Sequence, residues 1–347
     1  MRVAVAGGGW YGCHIASSLK AHGVSVDLFE KNDGLFSEAS GNNQFRLHQG
    51  LHYARSAQTR HQSRDGYHRF AERYPKLSTP VEDNIYLVPK ETSLIDFDTY
   101  FSIMLSSGIA IEKVPLNSIG HIDADRFEGA VRCQERVVLT SAARAYFAKR
   151  LNGTVNLNHA VTDVRQHSDH VLVDGVAYDH FIDATWGALP GMVDEVGSVY
   201  FEPTLLLYYR LRDSSAAPFP AITLVDGDLW SIYPTEDPSI FTLSSVTHTP
   251  LGRYEGKSSA YERLAAIDAR VVAEKRGLME AEVRPYMPGF NEVFTFVGPQ
   301  LAIKTKPKGL SENRACGVVM NGRCFNVQSG KIDNIFYATD RILGALL

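Results

Sequence analysis

Two histidines four residues apart stand in the segment Ala39 to Tyr53, ASGNNQFRLHQGLHY, behind two asparagines, a glutamine and an arginine. An imidazole titrates near about 6.5 and can take a proton from a substrate O–H or N–H. His48 and His52 are therefore candidate bases for the oxidation of a C–OH or C–N bond. The competing reading is that both are polar core residues bonded to backbone or to a bound cofactor. Arg46 and Arg55 carry guanidinium forks that match a phosphate or a substrate carboxylate, with a surface role equally open for Arg55. Tyr53 could stack beside a planar ring or belong to the core.

Oxidation needs an electron acceptor, and the chain's opening residues suggest one. Gly7-Gly8-Gly9-Trp10-Tyr11-Gly12 satisfies G-x-G-x-x-G at Gly7, Gly9 and Gly12. The motif follows an apolar run, Arg2 to Ala6, and opens a segment of helical spacing from Trp10 to His22. In that context backbone N–H groups and a helix N-terminus face a pyrophosphate, while Gly12 permits close helix–sheet contact. Val24 to Glu30 reads as the next strand. Glu30, at its end, can accept hydrogen bonds from an adenosine ribose and would repel a 2′-phosphate, which disfavours NADP. NAD and FAD share such a crevice. Two later stretches favour FAD: Asp183-Ala-Thr-Trp-Gly187 after an apolar strand, which resembles the ATG strand end common in flavoproteins with two dinucleotide folds, and Gly330-Lys-Ile-Asp333 before the last helix. A helix start carrying Gly330 and Lys331 can face the pyrimidine edge of a flavin, where reduction places negative charge. The plain alternative for the second stretch is a helix start capped by Ser329.

Taken in order, GGGWYG, SGNNQFRLHQGLHY and GKID resemble the D-amino-acid-oxidase-type superfamily of FAD-dependent oxidoreductases, which includes glycine-, sarcosine- and 2-hydroxyglutarate-oxidising enzymes. The resemblance covers most of the chain. It implies that Ser40, Asn42, Asn43, Gln44, Arg46, Leu47 and His48 run from the FAD pyrophosphate to the isoalloxazine. It also implies cofactor contact by Gly7, Gly9, Trp10, Tyr11, Gly12, Glu30, Lys31, Val161, Thr185, Trp186, Gly187, Gly330, Lys331 and Ile332. Some members attach FAD covalently through a histidine in a segment comparable to that of His48. The crossover around Arg323 approaches the active site in this superfamily, so Arg323 joins His48, His52 and Arg46 as a catalytic candidate. Lys304 and Lys306 could line the pocket, as a lysine above the flavin assists oxygen reduction in some relatives; alternation more often marks a solvated strand face. Trp186 stands where a small residue is usual and Arg46 is bulkier than the pattern. The substrates of better-known members therefore do not transfer. The D-G-x-x-S-x-x-R stretch of aromatic hydroxylases does not occur, nor does a second dinucleotide fingerprint.

The elements that must position these residues follow from periodicity. Gln58 to Tyr74 reads as a helix, Asn84 to Pro89 as a strand, Ser93 to Ser107 as a serine-capped helix and Gly129 to Gln134 as a strand. Thr140 or Ser141 caps a helix through Leu151. Val155–Leu157, Ala160–Val164, Val171–Val173 and Tyr178–Ala184 then form a meander at the edge of the nucleotide-binding sheet. Tyr200–Leu211, Ala221–Val225, Leu229–Tyr233 and Ile240–Thr247 suggest a large antiparallel sheet. On it Tyr208 shares a face with Arg210, and Trp230 and Tyr233 face the pocket. A helix at Ser258 to Met279, a strand at Glu292 to Lys306, a hairpin turning at Asn321-Gly322 and a helix from about Lys331 complete the chain. The expected class is α/β with an α+β substrate part. A Rossmann-like FAD-binding domain (residues 1–75, 129–195 and 310–347) interleaves with a substrate domain on the antiparallel sheet (76–128 and 196–309).

Bulk properties narrow the partners. The 347 residues are 44% hydrophobic and 21% charged, enough for more than one core. Net charge is −4, without runs of like charge, which excludes a nucleic-acid surface. Four dispersed cysteines suggest neither a metal site nor disulfides and fit a reduced cytoplasmic protein. No apolar stretch reaches membrane-spanning length. A small-molecule substrate is expected, with oligomeric state open. Besides an oxidoreductase, a flavoenzyme without net redox turnover such as a sugar mutase, or a catalytically silent flavin-binding protein, would carry the same motifs.

Overall fold

The computed structural model describes the 347-residue chain except residues 188, 190–198, 214–217, 228, 309–313 and 329. Strand Arg2–Ala6 lies at the centre of a six-stranded sheet, as its all-buried Val-Ala-Val-Ala run requires. It pairs in parallel with Ser25–Phe29 on one side and His180–Asp183 on the other. Val155–Asn156 extends the first side, and the hairpin Gly317–Asn321 and Cys324–Gln328 extends the second. The helix Trp10–Ala21 crosses one face and packs with the final helix, Ile335–Leu346, around Ile15, Leu19, Phe70, Phe147, Phe336 and Ile342. Gly12 is obligatory there: a Cβ would stand 1.9 Å from the carbonyl oxygen of Gly7.

The second layer is an eight-stranded sheet built on Val199–Leu211 and Phe294–Pro307, which pair antiparallel along nearly their whole lengths. It is mixed, because Ala221–Leu224 runs parallel to Asn84–Pro89. Phe127–Cys133 pairs with Asn84–Pro89 in this same sheet, so a boundary at 129 falls inside one of its strands. The boundaries expected near 196 and 310 lie outside the described residues. A small antiparallel sheet joins Arg46–Leu47 and Ser78–Pro80 to Arg136–Val138, bringing the segment of the two histidines against the large sheet.

Several local expectations change, each for a hydrogen-bonding reason. The helix expected from Ser93 begins at Phe97, since Asp96 accepts from the Thr99 N–H at 2.8 Å and is the true cap. Neither Thr140 nor Ser141 caps Thr140–Arg150 with its side chain; the Ser141 N–H donates to Glu236 instead, at 3.0 Å. The helix expected over Ser258 to Met279 is two, Lys257–Ala265 and Ala269–Val283, with Asp268 capping the second. The expected meander is a separate sheet of Val164–Gln166, Val171–Val173 and Val176–Tyr178, and His180–Asp183 enters the parallel sheet beside its central strand, not at its edge. At the C-terminus a short 3-10 turn, Ile332–Asn334, precedes Ile335–Leu346; the candidate cap Ser329 lies outside the described residues. Among the described residues no helix is long and apolar enough to cross a membrane. All four cysteines are free and buried.

The turn at Ile332–Asn334 rests on the helix Ala57–Arg73 at Gly66, where an added Cβ would come within 1.8 Å of the Asp333 carbonyl oxygen. Gly66→Ala should lower stability by about 3 kcal/mol, the upper range for overpacking a rigid contact. Gly277→Ala, in an exposed helix interior with open space around it, should raise stability by about 0.5–1 kcal/mol. Urea unfolding of the two variants measures both.

Candidate functional site

Two adjoining cavities run along the carboxyl ends of the parallel strands. The first, of about 380 Å³, is lined by the glycine turn, Glu30, Lys31, Val161, Thr185 and the helix start at Lys257 and Ser258. The second, of about 240 Å³, is lined by Trp10, Tyr11, Asn42 to Gln44, Arg46, His48, His52, Lys304, Arg314 and Gly330 to Ile332. Ala39, Ser40 and Trp186 border both, so the pair forms one elongated cleft.

The first cavity has the construction of a dinucleotide crevice. Gly7 adopts φ +106° under the Ala184 carbonyl oxygen, which a Cβ would meet at 2.6 Å, and a Cβ on Gly9 would meet Ser40 Oγ at the same distance. Ser40 Oγ accepts from the Trp10 N–H at 3.2 Å, tying the polar segment to the first helical turn. Glu30 accepts from the Gly8 N–H at 2.7 Å and the Asn32 N–H at 2.9 Å, which fixes its carboxylate at the strand end. Lys31 is ion-paired to Glu38 at 2.5 Å and donates to the Tyr261 hydroxyl at 2.6 Å. Glu38, His159, Lys257, Ser258, Tyr261 and Thr305 line this cavity without any sequence signal having marked them; three come from a helix beyond the large sheet's strands. Burial, and then Lys31, lowers the pKa of Lys257.

In the second cavity the polar segment divides its work. Asn43 Nδ2 donates to the Ala39 carbonyl at 2.9 Å, Gln44 Nε2 donates to Ser231 Oγ at 3.1 Å, and Gln300 Nε2 donates to the Asn43 carbonyl at 3.0 Å. Leu47 alternates away into the core around Phe70 and lines neither cavity. Gly187, with φ +81°, is packed against Thr305 and Val199 at the cleft's margin. The Tyr11 hydroxyl donates to the Lys331 carbonyl at 2.6 Å, holding the C-terminal segment to the opening helix, and the Lys331 ammonium lies 5.6 Å from the Tyr53 ring centre.

Arg46 is not available to a phosphate or a substrate carboxylate. Its Nε donates to Glu135 at 2.7 Å, its Nη1 to Thr223 at 2.7 Å and its Nη2 to the Tyr86 hydroxyl at 2.8 Å, while the Tyr233 ring covers it at 4.3 Å. Glu135 is wholly buried; burial raises its pKa against the pull of Arg46. The Tyr86 hydroxyl spends its single proton on Glu135 at 2.7 Å and stands 3.1 Å from His52 Nδ1. The proton in that last contact must therefore come from the imidazole, which leaves His52 Nε2 as the lone-pair nitrogen. Burial, then Arg46 and His48, holds the His52 pKa well below its ordinary value, so this base stays neutral.

His48 lies 5.1 Å from His52, ring centre to ring centre, and its Nδ1 accepts from the Gly50 N–H at 3.1 Å. Its Nε2 and the Thr140 hydroxyl are buried without a protein partner at or beside the cavity wall. Lys304 is half-buried on the same wall. Burial, then Lys331, Lys306 and Arg314, pushes its pKa down to about 7. Lys306 instead pairs with Glu202, so neither lysine marks a solvated face. The remaining candidates fall elsewhere or touch the site only indirectly. Arg323 sits at the hairpin bend, at the amino end of its strand and hence the opposite end of the parallel sheet from the cleft, donating to the carbonyls of Ser168 and Asp179. Trp230 is wholly in the core, and Arg55 is paired with Asp226. Tyr233 meets the site only by covering Arg46, and Arg210 is exposed.

An elongated cleft, a glycine cradle that leaves no room for side chains, a fixed carboxylate at one end and unsatisfied donors at the other fit FAD. Comparison with known proteins agrees. The profile of the DAO family, described as FAD dependent oxidoreductase, matches residues 2–310. The FAD-dependent monooxygenase FPY4 of Fusarium mangiferae is 48% identical over 99% of this chain and 90% of its own length. The FAD-dependent monooxygenase kojA of Aspergillus flavus is 27% identical over 99% of this chain and 85% of its own. Among solved structures, FAD-bound L-alpha-glycerophosphate oxidase from Mycoplasma pneumoniae superposes with a TM-score of 0.76 at 13% identity, covering 99% of this chain and 93% of that one. Glycine oxidase from Geobacillus kaustophilus superposes with a TM-score of 0.70 at 18% identity, covering 99% and 94%.

The buried pair at Arg46 gives a sharp test of the geometry. Glu135→Gln keeps shape and removes the countercharge, and should destabilise the protein by about 3–5 kcal/mol. Thermal unfolding of the purified variant checks it; a change below about 1 kcal/mol would mean that Arg46 finds its neutralisation elsewhere.

Proposed function

Because the chain belongs to the DAO family of FAD dependent oxidoreductases, we propose that it oxidises a C–OH or C–N bond of a small polar substrate, the hydride passing to flavin N5 and the O–H or N–H proton to His52. Gly7 to Gly9 and the N-terminus of Trp10–Ala21 would hold the diphosphate, Glu30 the adenosine ribose, and Gly330 with Lys331 the pyrimidine edge. Bound FAD supplies the acceptor for a hydride. The observation that carries the reading is the contact of His52 Nδ1 with a Tyr86 hydroxyl whose proton is engaged by Glu135, which leaves the Nε2 lone pair of a neutral, half-buried imidazole for substrate. Arg46, Glu135 and Tyr86 act on chemistry by fixing that ring, which is why a buried charge pair stands beside a cavity wall.

Lys304 supports the same reading. An ammonium with a pKa of about 7 on the cavity wall favours negative charge developing on a substrate or acceptor oxygen. A second reading, oxygen insertion into the substrate, is favoured by the name of the 48%-identical relative, a monooxygenase. The two differ in where dioxygen ends. Turnover under ¹⁸O₂ should give unlabelled product; label in the product would sink the oxidation reading in favour of insertion.

Two variants follow. His52→Ala should retain bound FAD and its visible spectrum while slowing anaerobic flavin reduction by about 10²–10⁴-fold, the usual worth of a positioned base. Equal rates in the variant would remove His52 from the mechanism. For Lys304 the ammonium is present below about pH 7 and lost above it, so kcat/KM should fall as pH rises through about 7, and Lys304→Met should lack that limb.

A further inference from the structure

Behind the cavity wall lies a polar cluster that the oxidation mechanism leaves unused. Asp333 is completely buried, and among the described residues neither carboxylate oxygen has a hydrogen-bond partner. Ser63 Oγ and both side-chain atoms of Asn334 are also buried and unpartnered. Asp333 Oδ2 lies 3.4 Å from His48 Nδ1. That nitrogen already accepts the Gly50 N–H, so it presents a lone pair, and the ring proton sits on Nε2, which has no protein acceptor. A carboxylate facing a lone pair would be repelled; a carboxylic acid would not. We propose that Asp333 and His48 form a proton-sharing pair, in which the proton rests on Asp333 and moves to His48 Nδ1 when negative charge arrives in the adjoining cavity.

The step balances within the pair. The Asp333 O–H bond breaks, an Nδ1–H bond forms, and the neutral pair becomes carboxylate and imidazolium without exchange of protons with water. The Gly50 N–H loses its acceptor in the process, which keeps the proton on Asp333 until an anion at Nε2–H compensates. Bound FAD would supply that negative charge on reduction, and His48 and Lys331 on the cavity wall are the residues that would face it. Groups facing the pair act in both directions: Lys331 favours the Asp333 carboxylate and Glu135 opposes it, while burial, then Lys331 and Arg46, holds the His48 pKa well below its ordinary value and so keeps the resting proton on Asp333. Tyr11 and Cys316, both buried and protonated, complete the surroundings. Burial dominates, and pushes the carboxyl up to about 7. Asp333 does not touch the substrate; it is a positioning and proton-holding residue that acts through His48.

Asp333→Asn offers the matched variant, because its amide can donate to Nδ1 but cannot surrender the proton. In the FAD-loaded enzyme, equilibration with a reference dye at pH 6 should shift at least tenfold toward oxidised flavin, about 30 mV for a two-electron couple. The double variant Asp333→Asn with His48→Asn should shift no further than the larger single. Equal potentials in wild type and Asp333→Asn, or additive shifts in the double, would overturn the proposal. If Asp333→Asn does not retain FAD, reduced-minus-oxidised infrared spectra of the wild type decide. Loss of a protonated carboxyl band on dithionite reduction supports the pair, and its persistence overturns it. Dithionite supplies the electrons here, so the outcome is independent of which bond the enzyme oxidises.

Discussion

A guanidinium taken out of water must be neutralised, and most of this site follows from how Arg46 meets that requirement. Its countercharge, Glu135, comes from the turn before Arg136–Val138. Its other partners, Thr223 and Tyr86, come from the parallel pair inside the large sheet. One side chain therefore joins the segment leaving the dinucleotide crevice to the layer that covers it. The hydrogen-bond directions around it are forced in sequence, from arginine to tyrosine to carboxylate, and the histidine tautomer is the last consequence of that order. An uncharged residue at position 46 would leave the strands in register and the histidine free to choose.

The crevice was legible in the sequence because its requirements are local. A strand, a glycine turn and a helix are adjacent in the chain; Gly12 is demanded by a contact within that one unit, Gly7 by the carbonyl of Ala184 and Gly9 by Ser40 at the start of the polar segment. The stretch from Ser40 to His52 was legible as a density of hydrogen-bonding groups, though not which way each faces. Leu47 turns inward and Arg46 toward Glu135, and only the antiparallel register with Arg136–Val138 settles that alternation.

What escaped the sequence depends on long-range pairing. Glu135, Tyr86 and Lys257 carry no motif, and each becomes a site residue only through contacts spanning tens to hundreds of positions. Arg323 failed in the opposite way. A parallel strand has a chemical end and a structural end, and a residue at its start belongs to the second however near it stands in sequence to Gly330. Helix limits moved for a smaller reason: Asp96, not Ser93, caps Phe97–Ser106, and Asp268 caps a second helix where one continuous helix was expected.

The sheet order has a consequence for biosynthesis. Its neighbours are, in sequence, strands from near residues 317, 324, 180, 2, 25 and 155, and the cleft above them draws walls from Gly7 through Ile332. A nascent chain emerging from the ribosome can form the first βαβ unit early, yet it lacks the pyrimidine-side wall and the buried acid behind His48 until almost the whole polypeptide is available. Cofactor capture is thus a late, chain-completing event, and a truncated product would present a glycine turn with nothing to close over it.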